Sequence, residues 1–359
     1  MLSPTLRRRL FFSSLILVLV LGTIGHVTLN AWSILYGLMI GVFLTDSLPW
    51  DLARNAAGML PRAVEAPDAK TSTYGHEYGL DHALLNIPPC ETFWLNMGYW
   101  KNTRSFVEAC KALAKLVIDA ADVKDGSRVM DFGYGCGDQD VFFLECHPNI
   151  TITGVTSEPK QALIAYSRIK ARNLHKSITL YAGDAVNPST WRHIPSHVSP
   201  PTDVLDPATY DAVISLDSCY HYSTRWQWLN QSASLLRLGG RISGTDLILG
   251  SGYDDAGYLT QFLLRAALYF TSAPWDNFVS EHAYRKRLQE AGFVGITVED
   301  ISEHVLPGLA GFIEQHRQNI GGVVDVDRKW RQYEGAAKLF RWLYRKKLVK
   351  FVLFSGTRS

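Results

Sequence analysis

The run Val129-Met130-Asp131-Phe132-Gly133-Tyr134-Gly135-Cys136-Gly137-Asp138 restricts the fold of this chain more than any other. An apolar stretch ends in an acid, and three glycines follow at alternate positions. That pattern makes a tight turn from a strand into a helix. Glycine is required there because a side chain would keep a ligand away from the backbone amides and the helix N-terminus. The dinucleotide pattern GxGxxG fits poorly, since its third glycine would fall on Asp138.

Strand-like and helix-like runs alternate around this turn, which predicts an α/β fold with a doubly wound, Rossmann-like sheet and helices on both faces. Seven strands are expected, at 128–131, 150–155, 178–181, 212–216, 240–248, 294–298 and 348–355. Helices are expected at 106–121, at 161–173 after the opening Pro159, at 258–269, near 281–291 and near 327–344. No internal repeat or low-complexity tract interrupts the pattern.

Composition excludes several functions. The 36 Lys and Arg nearly cancel 34 Asp and Glu, leaving +2, too little for a dedicated nucleic-acid binder. With 12% aromatic and 19% charged residues the chain has ample surface to bury, which excludes disorder. The five cysteines form no CxxC pair, so neither a disulfide framework nor a metal centre is expected. No GxSxG elbow is present, which disfavours a hydrolase.

Further landmarks follow each strand. Gly183-Asp184-Ala185 comes after the third strand, where the Asp184 carboxylate and a backbone amide are placed to bond an adenine edge. Ser215-Leu216-Asp217-Ser218-Cys219-Tyr220-His221-Tyr222 comes after the fourth, at the ligand-binding end of such sheets. Leu238-Gly239-Gly240 turns into the fifth. With an acid two residues before GxGxG, these point to S-adenosylmethionine rather than NAD.

On these motifs the chain resembles the class I S-adenosylmethionine-dependent methyltransferases, in particular the small-molecule and lipid branch with the sterol side-chain, tocopherol-type and cyclopropane fatty-acid enzymes. The likeness runs from about residue 95 to the C-terminus. Asn96-Met97-Gly98-Tyr99-Trp100 resembles the branch's GYW element, which implies an aromatic near the donor methionine. Gly154-Val155-Thr156-Ser157-Glu158-Pro159-Lys160-Gln161 resembles its second-strand motif, which implies that Thr156, Ser157 and Gln161 hold the ribose region. The implied cofactor site is therefore Asp131, Gly133, Gly135, Gly137, Thr156, Ser157, Gln161, Asp184, Ala185 and Asp217. Two features depart from the pattern. No acid ends the second strand, Glu158 falling two positions late, and Tyr134 and Cys136 replace smaller or commoner residues in the glycine turn.

Methyl transfer is an in-line displacement on a sulfonium, so alignment in a dry pocket carries much of the acceleration. Aromatic faces suit a sulfonium, and Tyr99, Trp100, Tyr220 and Tyr222 are the candidates. An acceptor that loses a proton requires a base, for which His221 is the first choice. Tyr74, His76, Glu77, Tyr78 and His82 are alternatives in a cover over the site. The catalytic set is thus His221, Tyr220 and Tyr99, with no metal. The branch resemblance puts carbon methylation first, then oxygen or nitrogen. The competing readings are an NAD(P)-linked oxidoreductase with Glu158 on the ribose, and a catalytically silent scaffold.

Residues 10–45 contain no Asp, Glu, Lys or Arg and follow Arg7-Arg8-Arg9. As one helix they would span about 54 Å, longer than a bilayer core of about 30 Å. Residues 1–50 are read as a membrane anchor of one or two apolar helices, 51–103 as linker and active-site cover, and 104–359 as the methyltransferase domain with a substrate-side insertion at about 250–280. The arginines place the N-terminus in the cytosol. The donor is made there too, so a hairpin or re-entrant anchor is expected. The catalytic domain would then face the cytosol, at the endoplasmic reticulum in a eukaryote. The expected partners are a membrane and a lipophilic small molecule or lipid, with no nucleic acid. The basic, aromatic segment from Arg328 onward is expected to pack on the sheet rather than on lipid.

Overall fold

Strand β1 (Arg128–Phe132) is buried from its second residue, and its side chains alternate between two apolar cores. Val129 enters one, and Met130 and Phe132 enter the other. Burial on both faces is the signature of a central parallel strand. The computed structural model describes residues 85–86, 91–320 and 327–359. The expected membrane anchor and Tyr74, His76, Glu77, Tyr78 and His82 lie outside the described residues. Among the described residues no helix is long and apolar enough to cross a membrane.

The other strands are β2 (Thr151–Thr156), β3 (Ile178–Ala182), β4 (Arg192–His193), β5 (Tyr210–Ser215), β6 (Leu236–Leu249), β7 (Phe293–Asp300) and β8 (Val349–Arg358). Their order across the sheet is β4-β3-β2-β1-β5-β6-β8-β7. The inner strands β3, β2, β1, β5 and β6 run parallel, while β4, and β8 against both β6 and β7, pair antiparallel. Eight strands replace the seven expected. The addition, β4, has two residues, too few for any period-two pattern, and exists through its pairing with Tyr181 and Ala182.

Helices α1 (Phe106–Ala120), α2 (Asp138–Cys146) and α3 (Pro159–Ala171) bury their apolar positions in the first core. Helices α4 (Arg225–Leu235) and α6 (Glu281–Glu290) bury theirs in the second. Between them in sequence, α5 (Tyr258–Phe270) buries Leu264, Ala267 and Leu268 and leaves Tyr258 93%, Leu259 71% and Tyr269 80% exposed. Its apolarity is therefore only partly used by the core.

Helix α7 (Ser302–Ile320) was not expected, because Pro307 and Gly308 lie inside it. Packing overrides them. Val305, Leu306, Leu309, Ala310 and Ile313 are buried, and Gly308 admits Trp100, whose side chain would lie 2.3 Å from any added Cβ. Helix α8 (Asp327–Arg345) was expected to pack on the sheet and instead packs mainly on α7, with Trp330, Ala337 and Leu343 buried. Arg341 grips Glu314 of α7 with two hydrogen bonds, at 2.9 and 2.6 Å.

Beneath the carboxyl ends of β5 and β6, Arg225 and Asp246 form an ion pair of 2.6 Å with neither side chain exposed. Arg225 also bonds the carbonyls of Leu247 and Asn277, while Asp246 accepts from the Tyr284 hydroxyl and the Leu247 amide, both at 2.8 Å. Removing one buried partner strands the other charge, at a cost of about 3–5 kcal/mol. Arg225→Leu should therefore lose about that much unfolding free energy in urea at neutral pH, and Arg225→Leu with Asp246→Leu should regain part of it. A double variant no more stable than the single would refute this account of the pair.

Candidate active site

The three motif glycines all take left-handed backbone, at φ +90° for Gly133, +60° for Gly135 and +82° for Gly137. Each also lacks room for a side chain. An added Cβ would come within 2.2 Å of Ser218 Oγ at Gly133, 2.8 Å of Leu95 Cδ1 at Gly135 and 2.9 Å of Ala165 Cβ at Gly137. The requirement for glycine thus comes from the protein's own packing as well as from any ligand. Gly137 is the N-cap of α2 and makes no side-chain cap hydrogen bond to the amides of that helix end.

Tyr134, unusual in such a turn, points away from it. Its ring rests where a Cβ on Gly154 would intrude at 2.7 Å, and its hydroxyl donates to Tyr181 O at 3.2 Å. The small residue on β2 makes space for the large one in the turn. Cys136 is buried, which pushes its thiol up to about 12.

Asp131 is fully buried at the end of β1. Gln139 Nε2 donates to its Oδ2 at 2.6 Å, while among the described residues Oδ1 meets only the Asp140 carboxyl. Burial raises this carboxyl to about 6. Left-handed glycines and a helix end without a side-chain cap hydrogen bond suit a nucleotide-bearing ligand, and the carboxylate beside them suits a cationic one.

Residues 91–100 form a strap against this turn, held by two carboxylates. Asp138 pairs with both Arg168 nitrogens at 2.5 and 2.6 Å and accepts from the Phe93 amide at 3.0 Å. Asp217, in left-handed backbone, accepts from the Met97 amide at 2.6 Å and the Tyr220 hydroxyl at 2.8 Å. Its own amide donates to Thr245 Oγ1. Burial raises Asp217 to about 6 in spite of these bonds. Sequence reasoning placed Asp217 on the cofactor, whereas in the structure both of its carboxylate oxygens accept from protein groups.

On the β2 side, Thr156 and Gln161 are buried and 3.5 Å apart, with Ser157 exposed beside them. Glu158 caps α3 by accepting from the Lys160 amide at 3.3 Å. Asp184 is exposed and bonds its own loop at Val186 N, and Ala185 is buried beside it. The Thr156 carbonyl accepts from the Gly183 amide, which joins the ends of β2 and β3.

Tyr220, His221 and Tyr222 follow β5 in a short turn of 3₁₀ helix and the residue after it. Asn277 Nδ2 bonds the carbonyls of Tyr220 and Tyr222 at 3.0 and 2.8 Å and so fixes the segment. The Tyr222 hydroxyl donates to Phe132 O at 3.0 Å, joining this segment to the glycine turn. His221 Nδ1 donates to Ser272 O at 3.2 Å, a bond that leaves the imidazole lone pair on Nε2. Burial lowers His221 to about 4, so the ring is neutral at physiological pH. Tyr99 is not in this group. Its ring meets His304 of α7 edge-on at 5.2 Å, and burial with Glu299 and Glu303 raises its hydroxyl.

Arg168, Asn277, Ser272 and Asp140 were missed. No local pattern marks the first three, since each acts on a residue more than 25 positions away in sequence. Asp140 had a signal, a second acid directly after the glycine motif.

An open parallel sheet whose order reverses between β1 and β5, with a glycine turn at that point, defines a doubly wound cofactor-binding domain. No family model matches the chain. It is similar to erythromycin 3''-O-methyltransferase of Saccharopolyspora erythraea, at 30% identity over 222 residues that cover 60% of this chain and 67% of that one. It is also similar to 27-O-demethylrifamycin SV methyltransferase of Amycolatopsis mediterranei, at 24% identity with 63% and 78% covered. Among solved structures, geranyl diphosphate C-methyltransferase from Streptomyces coelicolor A3(2), in complex with S-adenosyl-L-homocysteine, shares the fold at TM-score 0.54 and 16% identity, covering 71% and 81%. So does the [4+2]-cyclase SpnF, at TM-score 0.58 and 20% identity, covering 82% and 99%. The chain belongs to the class I S-adenosylmethionine-dependent methyltransferases, and S-adenosylmethionine is its cofactor.

Asp217 provides a test of the clamp. An acid raised from 3.8 to about 6 stabilises the fold below pH 4 and loses that stabilisation as pH rises through 6. Asp217→Asn lacks this loss. Its stability relative to the native protein should therefore climb between about pH 4 and 6.5, by no more than about 3 kcal/mol, in urea titrations. A pH-independent difference would show that Asp217 is not the desolvated acid described.

Proposed function

We propose that this methyltransferase acts on a hydroxyl of a lipophilic small molecule, with His221 as the base. The observation that carries this reading is the bond from His221 Nδ1 to Ser272 O. It orients a neutral imidazole at the carboxyl end of β5, where acceptors of this fold bind, with the basic lone pair on Nε2. The bound cofactor supplies a methyl group on a cationic sulfur. As the acceptor oxygen takes the methyl, its proton passes to Nε2. Tyr220 is held by Asp217 and Asn277 and lies against His221 at 4.2 Å between ring centroids, so it bounds the space on that side.

The names of the two relatives compared over most of this domain support oxygen as the acceptor atom. Carbon methylation, the first expectation from sequence, is the second reading. The geranyl diphosphate enzyme supports it only through the fold, and SpnF shows that the fold also serves a cyclase. A lipophilic acceptor is supported by α5. That helix ends next to Ser272 and keeps Tyr258, Leu259, Tyr269 and Phe270 exposed.

Attachment to a membrane through residues 10–45, with the domain on the cytosolic side, is part of the same proposal. It rests on a 36-residue run without charge behind three arginines. Carbonate-resistant sedimentation of the full chain, lost on deletion of residues 1–50, is the expected result. Full release of the intact chain by carbonate would end this part of the proposal.

Comparing extracts of cells with and without the gene, for a compound shifted by one methyl unit whose new carbon is bonded to oxygen, tests the reaction. His221→Ala should lower kcat about 10²–10⁴-fold while S-adenosylhomocysteine binds as before. Because the imidazole titrates near 4, His221 should not limit kcat above about pH 5. Unchanged turnover in His221→Ala, or a product methylated on carbon, would overturn the reading.

A further inference from the structure

Asp140, the third residue of α2, has no exposure and contacts Asp131 carboxyl to carboxyl. Both its oxygens and Asp131 Oδ1 lack a donor among the described residues, the two carboxyls themselves apart. Two carboxylates cannot share a dry site without a cation, because each raises the cost of ionising the other. One proton between them matches Asp131 Oδ1 with one oxygen of Asp140, since a carboxylic acid has an O–H to donate and a carboxylate has lone pairs to receive it.

Among the described residues no other group takes that part. Gln139 on α2 donates to the opposite oxygen, Oδ2 of Asp131. Asp138 on α2 is engaged by Arg168 of α3. The glycine turn brings Tyr134 and Cys136, and the segment after β5 brings Tyr222, all neutral groups whose acidity burial weakens. From α1, Cys110 is buried near Asp138 and Asp217 and is likewise held neutral. The N-terminal end of α2 favours an ionised acid at Asp140, but only modestly against full burial beside a second carboxyl.

We propose that Asp140 is a positioning residue, carrying the proton and donating it to Oδ1 of Asp131, so that the motif carboxylate stays ionised, oriented and available to the cationic end of the cofactor. Asp131 is the acid raised to about 6 and Asp140 is raised well above the usual carboxylate range, in keeping with that division. The proposal does not depend on which acceptor atom is methylated. It concerns cofactor binding alone.

S-adenosylhomocysteine is the probe, titrated calorimetrically into the full chain between pH 5 and 8. Native affinity should fall as pH drops through about 6, when Asp131 takes up a proton. Asp140→Asn replaces the O–H by an N–H donor and adds no charge, so its affinity at pH 7.5 should stay within threefold and its acid midpoint should not move. Asp140→Leu removes the donor, so the midpoint should rise and affinity at pH 7.5 should drop at least tenfold. A role in packing alone would not separate the two variants by their pH profiles. An acid midpoint moved by a full unit in Asp140→Asn would mean that Asp140 is ionised, and the proposal would fail. Should the variants not fold, infrared difference spectra of the native protein decide it. A protonated carboxylic acid band at pH 7.5 supports the proposal, and its absence overturns it.

Discussion

An arginine with no exposure must be answered by acceptors, and the answers to Arg225 organise the acceptor side of this enzyme. Asp246 comes from β6, Tyr284 lies over the guanidinium from α6, and Asn277 comes from the loop between α5 and α6. Asn277 then reaches the carbonyls of Tyr220 and Tyr222. The buried charge thereby helps to set where His221 and its neighbours stand. Four elements converge on one desolvated group, so none of them can shift alone.

The cofactor side rests on a different principle, the close approach of backbone to side chain. Gly133 and Gly135 are pressed by Ser218 and Leu95, which lie on the two segments that flank the turn. Asp138 and Asp217 pin the strap that carries Leu95, one through Arg168 and one through the Met97 amide. The turn, the strap and the segment after β5 thus form a single assembly joined by carboxylates of low exposure. Tyr222 completes it by bonding the carbonyl of Phe132, the last residue of β1.

Much of the fold was legible because it is encoded over short distances. The strands β1, β2, β3 and β5 are short apolar runs bounded by turn residues, and each was placed within a few residues of its ends. The helix α3 announced itself through Pro159, and the helix α8 through its aromatic stripe, though not its seat on α7. By contrast, α7 was hidden by Pro307 and Gly308, whose local preference is overruled by five buried apolar neighbours. The aromatic of the GYW element was legible as a residue but not as a location. Tyr99 turns to His304, and Trp100 takes the seat at Gly308.

The sequence alone pointed to the class of enzyme, since a strand, an acid and three alternating glycines make a nucleotide-binding turn and the motifs after the later strands chose among its ligands. Left-handed backbone and helix-end amides are local properties, and local properties can be read from neighbours in the chain. The tertiary structure alone decided which acid is shielded, which is paired and which shares a proton. Asp131, Asp138, Asp140 and Asp217 are the same residue type in sequence. They differ in burial and in partners brought from far along the chain, and burial raises Asp131, Asp140 and Asp217.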